Sequence, residues 1–134
     1  MMEKSLIIIL RVSGIMLIMA FVGVIMPYDM MAKVHQQIGL GHFPQLPILD
    51  YLARSVSLFY IMHGVIVIYI SFNLLRYLQF LKLLCYLGLG FGIALFIIDI
   101  NAPMPANWAF GEGPIIILLN LLVYILVLRI QNKQ

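Results

Sequence analysis

Four stretches of about twenty mostly apolar residues, near 5–26, 51–72, 80–100 and 114–130, dictate what this chain can become. Each is long enough to cross the hydrocarbon of a bilayer as a helix, which satisfies every backbone N–H and C=O within the segment itself. Together they fill most of a 134-residue chain. Only 10% of the residues are charged and 64% are hydrophobic, whereas soluble domains carry roughly 25% charge. The mean hydropathy is +1.10, and too little polar surface remains to cover a soluble core. The expected fold is a single all-α integral membrane domain, an antiparallel four-helix transmembrane bundle.

Arg11 interrupts the first stretch and no A-x-A cleavage pattern follows it, so it reads as a retained span rather than a signal peptide. Four spans place the N-terminus, the link between spans two and three, and the C-terminus on one side. That side holds Lys4, Arg11, Arg76, Lys82, Arg129 and Lys133, six of the eight basic residues. The other holds Lys33 and Arg54 with Asp29, Asp50, Asp99 and Glu112, four of the five acids. The positive-inside rule puts both termini in the cytoplasm. The basic residues are juxtamembrane anchors, with Arg11 snorkelling toward the headgroups, and they form no concentrated patch for nucleic acid. Cys85 is the single cysteine, so no intrachain disulfide exists.

The first outward connection, PYDMMAKVHQQIGLGHFPQLPILD, predicts a short amphipathic helix over 28–38, ended by Gly39 and Gly41. Met30, Met31, Val34 and Ile38 recur on one side of it, which suits a helix lying along the outer interface. Pro47 fits the first turn of the second span if that helix begins before Tyr51. The second connection, NAPMPANWAFGEGP, reads as a proline- and glycine-rich loop, with Trp108 at the interfacial belt.

Ionisable groups inside a span are costly, at least about 2.5 kcal/mol at the centre of a helix, so each needs a partner or water. Arg54 lies about one turn into span two, four residues after Asp50 on the same helical face. Asp99 ends span three and Glu112 precedes span four. An outer polar cluster of Asp50, Arg54, Asp99 and Glu112 is therefore expected, read either as a device that docks helix ends or as the polar mouth of a ligand or proton site. His63 lies about 13 Å further along the helix than Arg54 and on the opposite face. Tyr60, one turn before it, is its nearest local partner. A structural reading bonds His63 to another helix through Tyr124 or Asn120; the functional reading makes it a proton relay or cofactor ligand.

A bis-histidine haem lacks its second axial ligand, since His35 and His42 belong to the outer connection. Met26, Met30, Met31, His35, His42 and Met104 form no compact motif for a soft metal, and no metal site is predicted. Gly88 and Gly92 fall with Cys85 and Asp99 along one side of span three, spaced for close helix contact; the same groove would otherwise admit a flat lipid or quinone. No catalytic constellation supports an enzyme reading.

HQQIGLGHFPQLPILDYLARSVSLFYIMHG and IDINAPMPANWAFGEGP together resemble a family of uncharacterised small bacterial four-span membrane proteins. Its patterns are H-x-x-x-G-L-G, Y-L-x-R-S-x-S-x-x-Y-x-x-H-G and M-P-x-x-W-x-x-x-E-G-P, matched between His35 and Pro114. The four-span plan is also similar to DoxX-like and BphX-like proteins. The resemblance implies a bacterial inner-membrane location and important outward segments, but no reaction. The expected function is a non-enzymatic accessory or assembly subunit of a larger membrane complex or a homo-oligomer. The alternative is a lipophile-binding, quinone-binding or redox-linked membrane protein using His63 and Tyr60, with a small transporter or proton-conducting protein as a third reading.

Overall fold

The computed structural model describes residues 2–102 and 104–133; Pro103, in the proline- and glycine-rich stretch before the fourth span, lies outside them. The described residues form α1 (Met2–Ile18), α2 (Phe21–Ile25), α3 (Tyr28–Gln37), α4 (Pro47–Phe72), a 3-10 turn at Leu74–Tyr77, α5 (Leu78–Asn101) and α6 (Ala106–Gln131), with no strand among them. Four segments are long and apolar enough to cross a membrane: Met2–Ile25, Pro47–Phe72, Leu74–Asn101 and Ala106–Gln131. The chain is an all-α, multi-pass membrane protein.

The first span is not one continuous helix. At Met19–Ala20 the bonding tightens to the 3-10 pattern, with Ala20 N–H donating to Leu17 O at 3.1 Å and Val22 N–H to Met19 O at 3.1 Å. The short α2 then stops at Met26, whose backbone is extended, and Pro27 cannot continue it.

The helix predicted between the first two spans is present as α3. It closes in a Schellman motif, with Leu40 N–H donating to His35 O at 3.1 Å and Gly39 N–H to Gln36 O at 3.2 Å. That geometry needs a left-handed residue just past the helix, and Gly39 supplies it at φ +86°. Phe43 then folds back over α3. Its ring lies 5.4 Å from that of Tyr28 and 5.1 Å from that of His35.

The second span begins earlier than its apolar run. Pro47 is the first residue of α4, where its missing N–H leaves no intrahelical bond unmade, and the added turn brings Asp50 into the helix. The fourth span departs further from expectation. Residues 106–113 read as loop, but α6 starts at Ala106 and carries Pro114 in its interior. The N–H groups of Trp108 and Ala109 both donate to Pro105 O, at 2.9 and 3.1 Å. Pro114 removes one rung of the ladder, at the Phe110 carbonyl, without ending the helix. Glu112 is thus inside the span, not ahead of it.

The described residues sort into two compact units, those of 10–71 and, separately, those of 2–9 with those of 72–133. In the first, α1 and α4 run antiparallel and close on a reciprocal pair of glycines. A Cβ on Gly64 would lie 2.7 Å from Gly14 O, and one on Gly14 would lie 3.0 Å from Gly64 O. In the second, α5 and α6 are antiparallel and repeat the device. A Cβ on Gly92 would lie 3.1 Å from Gly113 O, and one on Gly113 would lie 2.8 Å from Gly92 O. Backbones this close gain dispersion contacts and Cα–H···O contacts that larger residues would forbid.

Candidate functional site

Arg54 is held by groups from two elements of its own unit. Nε donates to both carboxylate oxygens of Asp50, at 3.0 and 2.9 Å, one helical turn earlier. Nη2 donates to Met26 O at 3.1 Å and Nη1 to Val24 O. These two carbonyls end α2, where no further turn of helix supplies donors. A cation at a helix C-terminus is also favoured by the helix dipole. The planar guanidinium can reach two carbonyls and a carboxylate together, which a lysine cannot. Arg54→Met is therefore expected to lower the melting temperature in detergent more than Arg54→Lys, and Arg54→Lys more than Asp50→Asn. An Asp50→Asn protein melting lowest would overturn this ranking.

The other two acids of the expected cluster belong to the second unit. Glu112 Oε2 accepts from Trp108 Nε1 at 2.8 Å, one turn back on α6. Asp99 is 7% exposed, and its Oδ2 has no hydrogen-bond partner among the described residues.

His63 belongs to the first unit, and its two suggested partners, Tyr124 and Asn120, belong to the second. The His63 side chain is exposed, while its neighbour Gly64 is buried in the contact with α1. One residue is about 100° of helix, so Gly64 taking the inward position turns His63 away from α1. Within its own unit, no hydrogen bond joins His63 to Tyr60 or to any other described residue. Within the second unit, Tyr124 bonds with Tyr86, hydroxyl to hydroxyl at 2.8 Å, and Asn120 Nδ2 donates to Ile116 O at 2.9 Å. Val56 and Phe59, earlier on the His63 side of α4, are exposed too.

Sequence reasoning missed the seam of small and polar residues between α1 and α4. Arg54, Ser57, Gly64, Ile68 and Ser71 form one stripe, and Ser57, Gly64 and Ser71 repeat every seven residues, a signal that was available. Ser57 Oγ faces Gly23, where a Cβ would come within 2.7 Å of it. Ser71 Oγ donates to Ile68 O at 2.6 Å and accepts from Arg11 Nε at 3.3 Å. Arg11, whose side chain is exposed, reaches this seam through that bond. On α5 the expected stripe is present: Cys85, Gly92 and Asp99 are buried, and Gly88 lies against Asn120 of α6.

Between the first two spans, His35 Nδ1 donates to Gly41 O at 3.1 Å, and His42 is exposed. Among the described residues no three His, Cys, Asp or Glu side chains gather as metal ligands. No protein-family model matches the chain, and no curated protein or solved structure matches it significantly.

Proposed function

We propose that the protein is a non-enzymatic accessory or assembly subunit of a larger membrane complex, docking through the His63 face of α4 onto a partner's membrane helix. The observation that carries this reading is the exposed imidazole of His63, without a hydrogen-bond partner among the described residues of its own unit. His63 lies 16 residues into a 26-residue helix, about 24 Å along a rod of about 39 Å, hence well inside the hydrocarbon. Imidazole always has a nitrogen that needs an acceptor or donor, and hydrocarbon offers neither. Polar side chains at such depth ordinarily face protein or water. A partner helix that offers one hydrogen-bonding group opposite His63, and apolar side chains opposite Val56 and Phe59, meets that need. The distribution of basic residues supports cytoplasmic termini for this subunit, and the resemblance to small bacterial four-span proteins is what suggests a bacterial inner membrane.

The test is co-purification in mild detergent from native membranes, comparing wild type with His63→Leu. The expected result is a larger membrane protein retained at fixed stoichiometry by wild type and lost from His63→Leu, with the melting temperature of the variant unchanged. A wild-type protein that purifies as a clean monomer, or a partner retained equally by both proteins, would overturn the reading. Self-association alone would make the occupant a second copy of this chain.

A further inference from the structure

On the α5/α6 hairpin, Lys82, Tyr86 and Tyr124 form a cluster that the docking reading does not use. The Tyr86 and Tyr124 hydroxyls are 2.8 Å apart at an exposed edge, their rings 5.2 Å apart. The Lys82 ammonium lies 5.9 Å from the centre of the Tyr124 ring. In a hydroxyl–hydroxyl pair only one proton is used between the partners, and the other must be donated outward. The lysine adds three N–H donors, and among the described residues no carboxylate pairs with it. The cluster is a set of donors lacking an acceptor, at the edge of a membrane helix where such a deficit is expensive.

Its depth selects the acceptor. Lys82 and Tyr86 stand four and eight residues after Leu78, the first residue of α5, so about 6 and 12 Å from that end. Long side chains on a helix lean toward its N-terminus, which carries both polar tips toward the membrane surface. Tyr124 lies seven residues before Gln131, the last of α6, about 10 Å from the same end of the hairpin. This is the level of the lipid ester and phosphate groups, where lysine and tyrosine meet them most readily. We infer that the hairpin carries a binding site for an anionic phospholipid, whose phosphodiester takes the Lys82 ammonium and the free tyrosine proton.

The inference is tested by native mass spectrometry of the full chain, delipidated and titrated with phosphatidylglycerol, phosphatidylcholine or inorganic phosphate. Wild type is expected to hold phosphatidylglycerol about tenfold more tightly than phosphatidylcholine, because the choline cation offsets the phosphate charge that Lys82 would meet. Lys82→Gln should bring that ratio close to one, and Lys82→Arg should keep it. Tyr86→Phe and Tyr124→Phe, which remove only a hydroxyl from an exposed edge, should each weaken phosphatidylglycerol severalfold. Equal retention of the two lipids by wild type, or a preference unchanged in Lys82→Gln and in both phenylalanine variants, would overturn the site. Displacement of phosphatidylglycerol by millimolar inorganic phosphate would overturn the lipid as its source, and resistance to it would support the lipid.

Discussion

Gly88→Val is expected to destabilise the α5/α6 pair by about 3 kcal/mol, the upper end of the usual cost of overpacking a filled contact. A side chain at Gly88 would collide with the Asn120 amide, with the nitrogen only 2.6 Å from the new Cβ. That amide is tethered, since Nδ2 donates to Ile116 O at 2.9 Å. If it swings aside, the bond is lost in an environment with no water to replace it. If it stays, the helices must separate, and the Gly92–Gly113 approach next to it opens as well. Asn120→Ala removes the obstacle, so the double variant should recover much of the loss, with a coupling of about 1 to 3 kcal/mol in a double-mutant cycle. Gly90 is the internal control, two residues on in the same helix. Nothing lies within 4 Å of a Cβ built there, and Gly90→Ala should be neutral or stabilising by up to about 1 kcal/mol through helix propensity. Denaturant titration in detergent micelles measures all of these. Equal losses at Gly88 and Gly90, or no rescue by Asn120→Ala, would mean that the contact is not what requires glycine.

What could be read in the sequence, and what could not, follows from how locally each feature is encoded. Spans are legible because length and apolarity belong to one segment. The end of α3 is legible because a glycine at Gly39 marks a left-handed residue. The start of α6 is not, because Pro105, Gly111, Gly113 and Pro114 are all residues that break soluble helices. In a span, the backbone must still bond to itself, so the helix runs through them. Helix pairing is less legible again. In a soluble helix the buried face is the apolar one, but in a span both faces are apolar, because lipid is as apolar as a neighbouring helix. Only small residues then mark the contact. Gly88 and Gly92, four apart on one helix, announced their face. Gly14 and Gly64 gave no such notice, because their partnership spans fifty residues and only the Ser57, Gly64 and Ser71 spacing hints at it. Of the candidate site, the Asp50–Arg54 geometry follows from helical spacing alone. The use of Arg54 to close the carbonyls of α2 does not, since it depends on a break in the first span that no glycine or proline at Met19–Ala20 signals.

The dipeptide His63–Gly64 allows the fold and the proposed role to be separated by substitutions one residue apart. Gly64→Leu should cost about 3 kcal/mol or more, since its first new atom meets backbone. The Gly14 carbonyl oxygen would be 2.7 Å away, and the Leu17 Cβ and Ile18 Cγ1 3.0 Å. A carbonyl held in a helical ladder cannot rotate aside as the end of a side chain can. Gly14→Ala, on the facing helix, should cost less. Its closest obstacle, at 2.6 Å, is the Cγ1 of Ile68, part of a side chain with other rotamers, although Gly64 O at 3.0 Å still resists. Gly64→Ala should therefore lie between Gly14→Ala and Gly64→Leu. His63→Leu, by contrast, touches nothing that closes the α1/α4 contact and should leave thermal and denaturant midpoints at wild-type values. If Gly64→Leu melts like wild type while His63→Leu unfolds, α4 is rotated relative to α1 and the histidine is a packing residue. If the order is as expected, any loss of a partner in His63→Leu cannot be ascribed to an unfolded α4, because the helix contact adjoining that residue is intact.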